Sequence, residues 1–199
     1  MFVLRRTKLD KMIGFLAKRQ CGKDTACDYI SSKSQYTKRG FADPLKLGIQ
    51  QWFQFTDEQL YTYKKEEEDR NWGVTPRRAC QVVGTDVVRD LFPWILLPNI
   101  GNDFWVRSAD IWYKKNMEEH KGLVMWNDVR FQNEVDYILS KGGKVYKIER
   151  SSLDNGDKAD QHESETEIDK IENYSELIVN DGTLEDFYRK LEDVVLKHL

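Results

Sequence analysis

The stretch Met12-Ile13-Gly14-Phe15-Leu16-Ala17-Lys18-Arg19-Gln20-Cys21-Gly22-Lys23-Asp24-Thr25 decides the fold. The apolar run Lys11–Leu16 predicts a short buried strand. The segment Ala17–Gly22 has the composition of a turn, and Lys23–Lys33 predicts a helix. A strand, a glycine-bearing loop and a helix in this order open an α/β unit.

The loop between this strand and this helix lies where a phosphate-binding loop is expected. Such a loop surrounds a polyphosphate with backbone N–H groups, and the helix N-terminus adds its partial positive charge. Lys23 would reach the β- and γ-phosphates of a nucleotide, while Lys18 and Arg19 add positive charge beside them. Gly22 supplies the small residue that precedes the lysine.

Two positions depart from the usual Gly-x-x-x-x-Gly-Lys-Ser/Thr pattern. Ala17 replaces the first glycine, and Asp24 stands where Ser or Thr would touch magnesium, with Thr25 one residue later. The alternative is a strand, turn and helix with a chance Gly-Lys pair. The strand before the loop and the helix after it favour the phosphate-binding interpretation.

Outward from this unit, four further short segments are predicted strands: 35–41, 122–127, 144–149 and 176–179. Strands that alternate with helices at both ends of a chain imply a parallel sheet covered on both faces. From Thr56 to His120 the pattern is almost wholly helical. The helical block in the middle of the chain, about 41–120, forms an insertion over the carboxyl edge of that sheet. The polar stretch 151–165 predicts a loop.

This organisation predicts one domain over 1–199, with a core at about 1–40, 121–150 and 166–199. The insertion, about 41–120, holds five of the six tryptophans, which are expected to pack as its core: Trp52, Trp72, Trp94, Trp105 and Trp112. The run Lys64–Arg70 is dense in charges of both signs and is interpreted as a solvated helix face.

An acid and an arginine follow the predicted strand at 122–127. Asp128 falls at its carboxyl end, where the catalytic groups of open α/β sheets collect, and Arg130 lies just beyond. An aspartate there can hold magnesium or orient an attacking oxygen. The alternative is that Asp128 caps the next helix.

A polar ridge is predicted on the helix that begins at Thr75. Four residues recur every four positions and share one face: Arg77, Gln81, Thr85 and Arg89. The other side would be core: Cys80, Val83, Val87 and Leu91. The ridge suits a clamp for a phosphate and a base edge. The alternative, that these four residues form a solvent-exposed face of the helix, has equal weight.

Composition limits the classes of function. The chain has 199 residues and a formal net charge of −3, which disfavours a protein that coats nucleic acid. No apolar run approaches the roughly 18 residues of a membrane span, and no signal peptide is recognised. Three cysteines without CxxC spacing suggest neither disulfides nor zinc. A cytoplasmic location is expected.

Six short strings occur in order along roughly residues 11–195: Gly22-Lys23-Asp24-Thr25, Phe41-Ala42-Asp43-Pro44-Leu45-Lys46, Gln81-Val82-Val83-Gly84-Thr85, Asp128-Val129-Arg130-Phe131-Gln132-Asn133-Glu134, Asp160-Gln161-His162-Glu163-Ser164-Glu165 and Asn180-Asp181-Gly182-Thr183. With them the chain resembles the deoxynucleoside monophosphate kinases of phages and large DNA viruses. The first and fourth strings are the specific ones.

The resemblance implies a three-layer P-loop NTPase fold with a five-stranded parallel sheet, helices on both faces, an acceptor-binding insertion and a short lid at about 151–165. It implies transfer of the γ-phosphoryl of ATP, with Mg²⁺, to a deoxynucleoside monophosphate. A homodimer is left open, and no nucleic acid or membrane partner is expected.

Carried over by residue, the resemblance gives ATP to the phosphate loop and the turn after the last strand: Lys18, Arg19, Gly22, Lys23, Asp24, Thr25, Asn180, Gly182 and Thr183. It gives the acceptor to Phe41, Lys46, Arg77, Gln81, Thr85 and Arg89. The reacting centre receives Lys23, Asp128, Arg130 and Arg150, with Arg150 and the segment His162–Glu165 in the lid. Magnesium would contact Asp24 and Asp128.

Two other classes of function stay open. One is a P-loop kinase for another small acceptor, of the phosphomevalonate or dephospho-coenzyme A type. The other is a nucleotide-binding module without kinase activity, and the absence of an Asn-Lys-x-Asp motif for guanine counts against a GTPase-like form of it.

Overall fold

The computed structural model describes residues 12–151 and 162–198. At its centre lies a parallel sheet of five strands in the order β2-β3-β1-β4-β5. The strands are β1 (Met12–Ala17), β2 (Thr37–Arg39), β3 (Val124–Val129), β4 (Lys144–Glu149) and β5 (Glu176–Val179). The predicted α/β fold with its five-stranded parallel sheet is confirmed.

Helices cover both faces of the sheet. On one face pack α1 (Lys23–Lys33) and α9 (Leu184–Val194). On the other pack α6 (Phe104–Lys115), α7 (Gln132–Ser140) and α8 (Glu163–Lys170). In the described part of the chain, no helix is both long and apolar enough to cross a membrane.

The central strand β1 explains the packing, because all six of its residues are buried. Ile13 and Phe15 point into the cluster with α1 and α9, while Leu16 points into the cluster with α7. Gly14 lies on the α7 side, where an added Cβ would meet Ile138 Cδ1 at 2.5 Å. The side chains of β1 alternate between the two faces of the sheet with the period of two of a strand, and the glycine lets α7 approach closely.

Five α-helices, one 3-10 turn and one π-helix lie between β2 and β3. They are α2 (Asp43–Phe53), α3 (Asp57–Tyr61), a 3-10 turn (Tyr63–Glu66), α4 (Pro76–Gln81), a π-helix (Val82–Leu91), α5 (Phe92–Ile95) and α6. A third apolar cluster that includes Leu45, Ile49 and Trp105 joins them. These helices form a wall beside the carboxyl edge of the sheet.

The helix that begins at Thr75 changes its pitch. Thr75 caps α4 through its side chain, which accepts from Arg78 N, but from Val82 the turns are π-helical. The wider turn rotates the apolar face, so that Val88 is buried and Leu91 is 45% exposed. The prediction of Leu91 as a core residue is therefore wrong.

The expectation that the insertion tryptophans form its core is wrong for three of them. Trp105 is buried, but Trp52, Trp72 and Trp94 are 62%, 50% and 84% exposed. Short helices packed in a single layer have only one inner face, and these three indoles lie on the outer side. Apolar composition alone does not indicate which face a side chain takes.

The last three residues of the predicted lid loop 151–165 are helical. Helix α8 begins at Glu163, because the His162 side chain accepts from Ser164 N and two acidic residues occupy the first turn, where the helix dipole favours negative charge. Residues 152–161, including Asp160 and Gln161 of the fifth string, lie outside the described residues, as do residues 1–11.

Candidate active site

The loop after β1 has a backbone shaped by two residues with positive φ. Gln20 has φ 64° and Gly22 has φ 97°. An added Cβ at Gly22 would lie 2.5 Å from Asn180 Nδ2, and this amide donates to Cys21 O at 2.9 Å. Position 22 thus requires glycine for two reasons, its positive φ and the close approach of the Asn180 side chain. The contact holds the loop against the end of β5.

Helix α1 begins at this loop with its N–H groups available. No side chain caps it at Gly22. Lys23 is its first residue, with a side chain 15% exposed and Nζ 3.4 Å from Asp24 Oδ1. Uncapped N–H groups, the helix dipole and a lysine in one place form an anion-binding site of the phosphate-loop type.

Two clefts meet at this loop. The first, here called the loop cleft, has a volume of about 580 Å³ and surrounds the phosphate loop and the start of α1. Its lining residues are Lys18, Arg19, Gln20, Gly22, Lys23, Asp24, Thr25, Thr62, Tyr63, Lys65, Glu66, Arg77, Arg130, Arg150, Asn180, Gly182, Leu184 and Phe187. The second, here the insertion cleft, has about 570 Å³ and lies between the insertion and the sheet edge.

The insertion cleft and the loop cleft share a wall, here the junction, formed by Lys23, Asp24, Lys65, Arg77 and Arg130. Four of these five residues are cationic. A group that extends from one cleft into the other therefore passes through positive charge.

Most sequence-predicted site residues line one cleft or the other. Apart from the junction, the loop cleft holds Lys18, Arg19, Gly22, Thr25, Arg150, Asn180 and Gly182. The insertion cleft holds Phe41, Lys46, Gln81, Thr85 and Asp128. The structure thus brings together residues that the sequence separates by more than 150 positions.

Thr183 and Arg89 line neither cleft. The Thr183 hydroxyl accepts from Asp186 N at 3.2 Å and caps α9. Arg89 is buried, lies 3.7 Å over the ring centroid of Phe131 and donates to Asn133 Oδ1 at 3.3 Å. Because Phe131 lines the insertion cleft, Arg89 supports that wall from behind.

Asp128 holds two backbone segments together. Its Oδ1 accepts from Phe41 N at 2.7 Å and its Oδ2 from Ala42 N at 3.0 Å, which fixes the β2–α2 connection against the end of β3. The Phe41 ring is only 3% exposed and stacks on Trp126, with centroids 4.5 Å apart. Phe41 therefore offers the cleft little of its ring surface.

Two cations beside the clefts are paired with carboxylates of the same helix. Lys18 Nζ lies 2.6 Å from Asp169 Oδ2, and Arg130 Nη1 donates to Glu165 Oε1. Both acids belong to α8, so two ion pairs tie that helix to the phosphate loop and to the end of β3. Charged groups held in this way are oriented before a ligand arrives.

Asp24 is the one carboxylate among the five residues of the junction. Burial opposes ionisation, but the positive charges of Lys23 and Lys38 hold the pKa of Asp24 below its ordinary value. Thr25 places a hydroxyl beside it in the loop cleft. No group of three or more His, Cys, Asp or Glu side chains in the described ranges could hold a metal ion. Mg²⁺ needs no such cage, since it is commonly held by one or two carboxylates together with substrate phosphates.

Glu134 is a buried acid on the wall of the insertion cleft. Burial and the negative charge of Asp128 raise the pKa of Glu134 to about 8. The hydrogen bonds from Arg130 N and Phe131 N to its Oε2, at 2.7 and 3.1 Å, act in the opposite direction and are smaller in effect.

Replacing Glu134 with glutamine should change how stability depends on pH. In the folded protein the carboxyl keeps its proton up to about pH 8, whereas its ordinary pKa is 4.5. The stabilisation that this proton brings is complete below pH 4.5 and is lost as the pH rises towards 8. Between about pH 5 and 8.5, the melting temperature of the wild type minus that of Glu134→Gln should fall by about 10 °C.

Thermal unfolding of both proteins at the two pH values measures this difference. Glu68→Gln, at an exposed position, is the matched control and should show no pH-dependent difference. A difference for Glu134→Gln that stays constant within about 1 °C would show that the Glu134 carboxyl is ionised throughout.

Lys65 and Glu66 are the site residues that the sequence did not indicate. Both line the loop cleft, and Lys65 also lines the insertion cleft. They belong to the charge-dense run 64–70 that was interpreted as a solvated face. Their spacing carries no motif, and only the packing of the 3-10 turn on α4 brings them to the phosphate loop.

Residues 50–191 match the model of a family described as deoxynucleotide monophosphate kinase. A protein of Acanthamoeba polyphaga mimivirus named as a deoxynucleotide monophosphate kinase is 35% identical over 184 residues, which cover 90% of this chain and 93% of the relative. The deoxynucleotide monophosphate kinase of Escherichia phage RB69 is 29% identical over 124 residues. That match covers 62% of this chain and 45% of the phage protein.

Among solved structures, a dephospho-CoA kinase from Campylobacter jejuni superposes with a TM-score of 0.49 at 15% sequence identity. The superposition covers 94% of this chain and 96% of that chain.

Proposed function

This chain belongs to the deoxynucleotide monophosphate kinase family, and we propose that it transfers the γ-phosphoryl group of ATP to a deoxynucleoside monophosphate. The products would be ADP and the deoxynucleoside diphosphate. In this proposal ATP occupies the loop cleft and the acceptor occupies the insertion cleft.

One observation carries the proposal: the two clefts meet at a cationic junction that contains the phosphate-loop lysine, Lys23. A protein that only bound or hydrolysed a nucleotide would need the loop cleft alone. A second cleft of similar volume, open to the same lysine and to Arg77, suits a second phosphorylated substrate whose phosphate must reach the first.

Phosphoryl transfer requires positioning and charge neutralisation more than covalent chemistry. An oxygen of the acceptor phosphate forms the new bond to the γ-phosphorus. The bond from that phosphorus to the β,γ-bridging oxygen breaks, and its electron pair stays on ADP. The attacking oxygen is already ionised at neutral pH, so no general base is needed.

The residues of the loop cleft would bind the donor. N–H groups of the phosphate loop and Lys23 take the phosphates, with Lys18, Arg19 and Arg150 beside them. Mg²⁺, when bound to the phosphates and Asp24, would neutralise charge that develops during transfer. Asn180 keeps the loop in shape rather than reading the base, since its amide is used on Cys21 O.

The residues of the insertion cleft would bind the acceptor. Arg77 can take its phosphate, because a guanidinium matches phosphate geometry. Gln81 and Thr85 follow on the same wall and can hydrogen-bond a base edge. Asp128 acts by positioning the β2–α2 connection, and Arg89 by supporting Phe131.

The test is ATP consumption by the purified protein, with Mg²⁺, against the four common deoxynucleoside monophosphates, their ribose counterparts and dephospho-coenzyme A. We expect at least one deoxynucleoside monophosphate to raise ATP consumption about 100-fold or more above the rate without acceptor. Stimulation by dephospho-coenzyme A alone, or equal ATP consumption with and without every acceptor, would contradict the proposal.

The reaction is proposed to take place in the cytoplasm. Cys21, Cys27 and Cys80 are free thiols, and two of them are buried. Thiols persist unpaired in a reducing compartment, which supports this location.

A further inference from the structure

The 3-10 turn Tyr63–Glu66 is fastened over the phosphate loop by Glu66. The Oε1 atom of Glu66 accepts from Arg77 Nε at 2.6 Å and lies 3.1 Å from Arg19 Nη2. One carboxylate therefore connects the phosphate loop, the turn and helix α4. The residue next to it along the chain is Lys65.

Lys65 lies at the junction of the two clefts and is half-buried. Its ammonium has no carboxylate partner among the residues that the structure describes, 12–151 and 162–198. In this respect it differs from the other three cations of the junction, each of which has one: Lys23, Arg77 and Arg130.

The surroundings of Lys65 favour an anion. Burial and then the positive charge of Arg77 lower the pKa of Lys65, and nearby Glu66 and Asp24 compensate only in part. An anion that enters the junction would remove this excess of positive charge. A phosphate group between donor and acceptor is such an anion.

We propose that Lys65 is a further catalytic residue, delivered by the insertion, which contacts the phosphoryl group in transit between the loop cleft and the insertion cleft. The proposal rests on the proposed function. As the acceptor oxygen bonds to the γ-phosphorus and the bridging bond to ADP breaks, negative charge spreads over the transferred group. The Lys65 ammonium donates hydrogen bonds to its oxygens and keeps its proton throughout.

Lys65→Met tests the proposal, because methionine is unbranched, keeps most of the length of the side chain and removes its charge. We expect kcat to fall about 100-fold. The dissociation constants of ATP and of the deoxynucleoside monophosphate, each measured alone by calorimetry, should change less than about threefold. Lys65→Arg, which restores a cation, should recover at least about tenfold of the lost rate.

Lys64→Met is the matched control. Lys64 is the preceding residue of the same turn, but its Nζ lies 2.8 Å from Glu58 Oε2. This variant should keep kcat within about twofold of the wild type. Thermal unfolding of all three variants establishes that each is folded at the assay temperature.

Three outcomes would overturn the assignment. One is a kcat for Lys65→Met within about threefold of the wild type, another is an equal loss for Lys64→Met, and the third is a loss confined to the KM of ATP. The wild type is assayed first. If the wild type transfers phosphate to no deoxynucleoside monophosphate, the proposed function itself fails. If the wild type is active and Lys65→Met is equally active, only the assignment of Lys65 fails.

Discussion

Lys23→Ala is expected to lower kcat by about 1000-fold or more. Lys23 is the first residue of α1, and its side chain is 15% exposed at the junction of the two clefts. It stands beside uncapped helix N–H groups, where a β- or γ-phosphate would lie. Removing the ammonium leaves the charge on the transferred phosphoryl group without its nearest neutralising partner.

A coupled assay that follows ADP formation measures the effect. Lys33→Ala is the matched control, since Lys33 lies exposed in the last turn of the same helix and should tolerate the change within about twofold. A Lys23→Ala variant within about threefold of the wild type would remove the phosphate loop from the catalytic site.

Arg77→Ala is expected to lower kcat/KM for the deoxynucleoside monophosphate by about 100- to 1000-fold, with a smaller change in the KM of ATP. Arg77 lies in the first turn of α4 and lines both clefts. In the proposed reaction, its guanidinium would bind the acceptor phosphate. Arg77→Lys keeps the charge without the planar fork and should recover only part of the loss.

Two variants separate the role of Arg77 from other effects. Arg78→Ala removes the neighbouring guanidinium of α4, which is exposed, and should leave kcat/KM within about twofold. Glu66→Gln weakens the Arg77–Glu66 contact without removing the guanidinium, so it shows how much of the loss comes from displacing the turn over the loop. A rise in the KM of ATP alone would place Arg77 on the donor side.

The sequence was sufficient for the sheet and the phosphate loop because both depend on local patterns. Four of the five strands are rich in apolar residues, whereas β2 is the polar segment Thr37–Arg39. Gly22-Lys23 follows the end of β1 after only four residues. Gly22 needs a positive φ, so its identity in the sequence carries structural information.

The junction depends on long-range packing, and the sequence did not predict it. Lys65 and Glu66 belong to a run of mixed charge whose pattern resembles any solvated helix face. Their place is decided by the contact of Glu66 with Arg19 and Arg77, residues 47 and 11 positions away. No local periodicity encodes such a contact.

The polar ridge was predicted in part. Arg77, Gln81 and Thr85 line the insertion cleft, as the spacing of four residues suggested, whereas Arg89 is set behind Phe131. The change from α-helical to π-helical turns at Val82 alters the positions of the later residues. A prediction that assumes the α-helical period along the whole helix does not anticipate that change.

Transfer of labelled phosphate is the most direct measurement. The purified protein is incubated with Mg²⁺, ATP labelled in its γ-phosphate and each of the four common deoxynucleoside monophosphates, and the products are separated. Phosphoryl transfer across the junction predicts label in a deoxynucleoside diphosphate, with an equal amount of ADP, and about 1000-fold less of this product with Lys23→Ala. Label that appears only in inorganic phosphate, or that stays in ATP with every acceptor, would contradict it.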